Sequence, residues 1–262
     1  MTKLNSTRVK APTLPLPVVD DTCPNRTNDD VAHWNPSGTC AADGNTNRSG
    51  TKQLLSCKSI INVATQNVRS LRQQGKCDEL ACVFSKTNLS ILVDHKLVHD
   101  EEIQTKQLNK CTLITSSAWR NSNGAANGGV GLLVATRTES ALAEIKKYNE
   151  RIIIAHFNGN PGTTIIVHYS PTEGSETSEE HYTNLGNAIK LVPKHNILLV
   201  IGDFNAHIGV EDAKYTYHNN TNTNGKFLLD LVAENNLVIT NTTFQKRPGK
   251  LWTYISDMNG NR

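Results

Sequence analysis

The chain has 262 residues, 37% hydrophobic and 19% charged, with a formal net charge of +3. That length holds one large domain or two small ones, and so small a charge excludes the strong basic field that would by itself announce a nucleic-acid partner. No apolar run approaches the roughly 18 residues of a membrane span, and polar residues break up positions 1–10, so neither a span nor a signal peptide is expected.

In chain order, residues 1–51 are rich in Pro, Asn, Asp, Thr, Ser and Gly and show almost no apolar periodicity. A segment of this kind buries too little apolar surface to offset its ordering entropy, so disorder is expected there. The expected division is a disordered segment over 1–56 and a folded domain over 57–262. From Ile60 onward short apolar runs alternate with amphipathic stretches. The runs predict strands at 60–65, 89–93, 111–116, 129–134, 151–157, 163–168, 197–201, 237–240 and 251–255. Helices are predicted at 76–85, with Leu80, Val83 and Phe84 on one face, at 178–192, with Tyr182, Leu185, Ile189 and Val192, and at 225–235, with Phe227, Leu228, Leu231 and Val232. Strands far outnumber helices, whereas a doubly wound sheet needs a helix between nearly every pair. An α/β architecture of two mixed sheets packed face to face, with helices outside, fits better.

Six cysteines, Cys23, Cys40, Cys57, Cys77, Cys82 and Cys111, fall at irregular intervals without a Cys-x-x-Cys pair. They read as reduced thiols of an intracellular protein. Arg69, Arg72 and Lys76 make a small local basic cluster, which a solvated loop would explain equally well.

Polar groups recur where apolar runs end, the place where α/β proteins assemble their sites. The run at 60–65 leads into Gln66 and Asn67, Val93 is followed at once by Asp94, and His168 is followed by Tyr169-Ser170-Pro171. Most informative is Ile197-Leu198-Leu199-Val200-Ile201, which opens into Gly202-Asp203-Phe204-Asn205. A wholly apolar run is a buried strand, and a carboxylate at its mouth must find a partner or a cation. Asp203 and Asn205 point the same way in extended chain. A plain turn, in which Asp203 caps backbone amides, would produce the same string.

The strings Gln66-Asn67-Val68-Arg69-Ser70, Gly128-Gly129-Val130-Gly131, Tyr169-Ser170-Pro171 and Gly202-Asp203-Phe204-Asn205-Ala206 resemble, in this order, the endonuclease/exonuclease/phosphatase superfamily that includes abasic-site endonucleases and DNase I. Ser116-Ser117-Ala118-Trp119-Arg120 and Trp252-Thr253-Tyr254 are more narrowly similar to the endonuclease domain of non-long-terminal-repeat retrotransposons and craniofacial-development-like proteins. The resemblance covers residues 58–262 and implies a DNase I-like four-layer sandwich. It also implies a DNA endonuclease that nicks its substrate, with Asn67 and Asp94 holding a Mg²⁺ or Mn²⁺ ion through hard oxygen atoms. Asp203 would orient and deprotonate the attacking water, Asn205 would fix water or phosphate, and Tyr169 would donate to a phosphoryl oxygen. Arg69, Arg120 and Asn121 would contact DNA, and a nuclear location would follow.

Two departures qualify the resemblance. The family has Glu where this chain has Asp94, one methylene shorter, so weaker metal binding is expected. The family pattern also continues beyond Trp252-Thr253-Tyr254 to an Asp and a Ser-Asp-His triplet that this sequence does not reach. The expectation is a domain short of its final strands, poorly soluble and catalytically impaired. A non-catalytic nucleic-acid-binding remnant and a phosphatase of the same superfamily are the alternatives; the sequence offers no membrane-facing apolar stretch that would favour a lipid phosphatase.

Overall fold

Alternation along the apolar strands decides which layer each residue joins. The computed structural model describes residues 5–10, 60–68, 71, 75–87, 89–95, 103–116, 119–120 and 126–247. Strand β1 (Asn5–Lys10) precedes β2 (Ile60–Thr65), α1 (Lys76–Ser85) and β3 (Ile91–His95). Then come β4 (Ile103–Leu108), β5 (Cys111–Ser116), the short ribbon β6 (Trp119–Arg120) and β7 (Ala126–Asn127), and β8 (Val130–Ala135). The second half runs α2 (Thr136–Glu139), β9 (Leu142–Asn149), β10 (Ile152–Phe157), β11 (Thr163–Tyr169), α3 (Ser178–Lys190), β12 (Ile197–Asp203), α4 (Thr223–Glu234) and α5 (Thr240–Thr243).

The strands form a six-stranded sheet in the order β1-β2-β3-β8-β5-β4 and a four-stranded sheet in the order β12-β11-β10-β9. Ile91, Leu132, Val134, Ile153, Ile165 and Val167 fill one cluster between the two sheets. Their neighbours along the same strands face outward, because side chains alternate across a pleat. Leu133 and Ala135 meet Leu80, Ala81 and Phe84 of α1, while Ile152, Ile154 and Ile166 meet Leu185, Ile189, Leu228 and Leu231 of α3 and α4. The result is the expected helix, sheet, sheet, helix order. Burying an Ile or Leu in such layers stabilises the fold by roughly 1.5–3 kcal/mol each.

Several expectations need correction. Residues 5–10, placed in the disordered segment, form β1 and pair antiparallel with β2; a ladder to an existing strand can order a polar segment that has no core of its own. The remainder of 1–56 lies outside the described residues. Strands β4 and β9 were not anticipated, because they are sheet edges whose Lys and Glu side chains face water and break the apolar run. Residues 237–240 do not join a sheet: Leu237 and Ile239 dock on the helical layer, Val238 is 70% exposed, and α5 begins at Thr240. The strand expected at 251–255 lies outside the described residues. In α1 the buried face is Leu80, Ala81 and Phe84, so Val83 turns outward. Cys77, Cys82 and Cys111 are free thiols, and among the described residues no helix is long and apolar enough to cross a membrane.

Strands β11 and β12 run parallel with His168 beside Gly202. A Cβ at position 202 would stand 1.9 Å from the His168 carbonyl oxygen, so glycine is a condition of this pairing. Gly202→Ala is expected to cost about 3 kcal/mol or more, since backbone rather than a flexible side chain must give way. Urea unfolding checks this, and a loss below about 1 kcal/mol would show that the strands do not approach so closely.

His168 lies buried against α3, its Nδ1 3.4 Å from His181 Nε2. Burial, aided by the charge of Arg151, lowers the His181 pKa to about 4 from an ordinary 6.5. The folded state therefore resists a proton that the unfolded chain accepts. Stability is complete above the unfolded value and declines as pH falls from 6.5 towards about 4, by roughly 3 kcal/mol at most. His181→Phe is expected to flatten that limb; unchanged pH dependence of the urea midpoint would contradict the assignment.

Candidate active site

Two parallel strand pairs build the site. In the smaller sheet, β11 and β12 hold a register that ends with Tyr169 opposite Asp203, so the chain leaves both strands at the same edge. In the larger sheet, β2 and β3 are parallel, with Thr65 beside Val93. Asn67, just past β2, and Asp94, near the end of β3, therefore emerge together. Because the two sheets pack face to face, these ends form one rim.

Hydrogen bonds join the rim. Asn67 Nδ2 donates to Asp203 Oδ2 at 2.9 Å, from one sheet to the other. The backbone N–H of Asn205 donates to Asp203 Oδ1 at 3.0 Å. Each carboxylate oxygen thus accepts one donor and keeps lone-pair capacity for another. The second bond is the backbone-capping contact of a plain turn, and it coexists with the first. Asn205 Nδ2 donates to Ser170 O at 2.8 Å, and Ser170 N donates to Asp203 O at 2.9 Å. Asn205 itself has φ of 46°, a left-handed conformation that Asn tolerates better than most residues.

Tyr169 is 8% exposed, and its ring belongs to the cluster between the sheets. The Arg151 guanidinium carbon lies 5.4 Å from that ring centroid, and Arg151 Nη1 donates to Tyr169 O at 3.3 Å. Burial lowers the Arg151 pKa, with Tyr169 and Glu150 acting in the opposite direction. Behind the rim, Tyr182 Oη donates to Phe204 O at 2.8 Å. Burial raises the Tyr182 pKa, which keeps this hydroxyl a donor.

Of the residues selected from sequence, Asn67, Tyr169, Asp203 and Asn205 meet at this rim. The backbone of Asp94 is at the same end of the larger sheet, paired with Gly131; its side chain lies outside the described residues. Arg120 is in β6, opposite Ala126, and its side chain is likewise not described. Arg69 and Asn121 lie outside the described residues. Arg151, in the turn between β9 and β10, and Tyr182, inside α3, were not selected from sequence because no motif surrounds either. The one available signal was Arg151 standing at the head of an apolar run, where a charge is unusual.

Among the described residues no group of three His, Cys, Asp or Glu side chains could hold a metal ion. The groups at the rim are an amide and a carboxylate, with Asn67 giving its nitrogen to Asp203. Hard oxygen donors fit Mg²⁺ or Mn²⁺ and not a thiolate-seeking ion. A cleft of about 640 Å³ lies elsewhere, lined by His156, Asn158, Asn160, His195 and Asn196, at the opposite ends of β11 and β12. Strand-end chemistry, not cavity size, marks the site.

No family model matches the chain. It is 30% identical over 211 residues to craniofacial development protein 2 of Bos taurus, covering 78% of this chain and 35% of that protein. To the Tragulus javanicus protein of the same name it is 29% identical over 232 residues, covering 86% and 38%. The chain thus spans little more than a third of the length of these curated relatives. Among solved structures, the endonuclease domain of TRAS1, a telomere-specific non-LTR retrotransposon, shares 15% identity at a TM-score of 0.46, covering 71% of this chain and 74% of that one. TDP2 of D. rerio, complexed with a single-strand DNA product, shares 12% identity at a TM-score of 0.38, covering 68% and 66%. In sequence the chain is thus similar to craniofacial development protein 2, and its two packed sheets flanked by helices are the arrangement that the resemblance to the endonuclease/exonuclease/phosphatase, DNase I-like superfamily implied.

Proposed function

We propose that this chain is a divalent-metal-dependent phosphodiesterase acting on DNA, an endonuclease domain of retroelement type. The observation that carries the reading is the Asp203 carboxylate, fixed by Asn67 from the opposite sheet and by the Asn205 amide at the shared strand ends. A carboxylate so oriented accepts a proton from a water aligned for in-line attack on phosphorus. Its fixed donors remove the entropy of finding the right rotamer. The second amide hydrogen of Asn205 reaches water or a phosphoryl oxygen, and Tyr169 donates to phosphoryl oxygen as negative charge builds.

Asn67 and Asp94 would hold Mg²⁺ or Mn²⁺, which when bound supplies polarisation of the phosphoryl oxygen and stabilisation of the leaving 3′ oxygen. Arg69, Arg120 and Asn121 would contact the DNA backbone, setting register without reading sequence.

Nicking of supercoiled plasmid tests the reading. The chain is expected to cleave with Mg²⁺ and not with chelator, and Asp203→Ala to lower the rate by about 10²–10⁴. Salt-dependent DNA binding without any cleavage would favour the non-catalytic alternative. Asp94→Glu is expected to lower the Mg²⁺ concentration for half-maximal rate and Asp94→Ala to raise it. If neither substitution alters the metal requirement, Asp94 is not a ligand.

A further inference from the structure

Asn224, in the first turn of α4, has 0% exposure and is absent from every motif considered above. Its side-chain nitrogen donates to Pro171 O at 3.1 Å and to Asn205 O at 3.0 Å. These carbonyls belong to the two loops that carry the site, one leaving β11 and the other leaving β12. One amide nitrogen with two hydrogens thus bridges them. The bridge is anchored in turn: Glu173, on the first loop, accepts from the backbone N–H groups of Thr223 and Asn224 at 3.0 and 3.1 Å. Burial works against the Glu173 charge, but the hydrogen bonds from Asn224 and Thr223 outweigh it and hold the carboxyl below its ordinary range. On the second loop, Asn222 Oδ1 accepts from His207 N, and a Cβ on Gly225 would stand 2.1 Å from His207 O.

We propose that Asn224 is a positioning residue that locks Asn205, and through it the Asp203 carboxylate, to the Tyr169-Ser170-Pro171 loop. Resting on the phosphodiesterase reading, this deepens it by naming what holds its central group. A left-handed Asn persists only when its surroundings over-determine it. Here the backbone N–H of Asn205 is held by Asp203, its side chain by Ser170 and its carbonyl by Asn224. Removing the last contact frees the peptide plane after Asn205 and leaves two carbonyls short of a donor. The Asn205 N–H then wanders from Asp203, and the carboxylate loses its fixed direction. No other small side chain replaces the bridge, since Asp carries no hydrogen to give and Ser only one.

The test compares the full chain with Asn224→Ala, Asn224→Ser and, as a control for general loss of stability, Leu231→Ala, which removes a buried contact on the core face of the same helix. Two quantities are read: backbone amide hydrogen exchange at Asn205, and the separate kcat and KM for Mg²⁺-dependent nicking. Asn224→Ala is expected to speed exchange at Asn205 and to lower kcat, each by about tenfold or more, with KM within about twofold. Asn224→Ser, keeping one donor, is expected to fall between it and wild type and serves where the alanine variant does not fold. Leu231→Ala is expected to lower the unfolding midpoint without this change in kcat. Unchanged exchange at Asn205 in a folded Asn224 variant, or an equal loss of kcat in Leu231→Ala, overturns the proposal. Should the wild-type chain cleave nothing, the phosphodiesterase reading fails, while exchange at Asn205 still decides whether Asn224 holds that residue.

Discussion

Parallel pairing of β11 with β12 is the constraint on which the site depends. Parallel strands end at the same edge, so this pairing alone puts Tyr169 beside Asp203 and sends two loops out together. The pairing requires backbone contact at Gly202 that no side chain permits. Had these strands been antiparallel, as most of their neighbours are, the Tyr169 loop and the Asp203 loop would lie at opposite ends of the sheet. The larger sheet repeats the arrangement once, with β2 beside β3, and the inter-sheet core then brings the two pairs together. The geometry of the candidate site is therefore a consequence of two parallel ladders inside otherwise antiparallel sheets.

The chemistry around the rim is arranged to keep a negative charge in place. Asp203 accepts from two amide donors, while the Arg151 guanidinium lies against the ring of Tyr169. The imidazole of His181, buried against His168, is held neutral by burial and so adds no positive charge beneath the rim. Neutral donors fix a carboxylate in direction without cancelling its charge.

Support for the rim comes from the helical layer as much as from the sheets. Tyr182 of α3 reaches Phe204 O, and the first turn of α4 meets the loops through Asn222 and Asn224. The same two helices cover Ile152, Ile154 and Ile166. The outer layer that packs on the smaller sheet thus also supplies the donors that hold the loops. Short polar residues in the first turn of a helix suit this task, because backbone N–H groups there have no partner within the helix and are free to bind a loop carboxylate such as Glu173.

By itself the sequence determined what local chemistry can fix. Apolar runs marked β2 and β5, periodicity marked α3 and α4, and a carboxylate at the mouth of a buried run marked Asp203. What depends on a strand's neighbours was not legible: β4 and β9 are strands because a ladder beside them supplies hydrogen bonds, and residues 237–240 have the composition of a strand but no ladder among the described residues. The contact between Asn67 and Asp203 joins positions 136 apart in sequence, and Arg151, Tyr182 and Asn224 act through bonds to carbonyls that any residue could have supplied. Side-chain chemistry is written in the residue type and so can be read along the chain. Partnership is decided only when the sheets pair and pack, because backbone donors and acceptors are the same at every position until the tertiary structure chooses which of them meet.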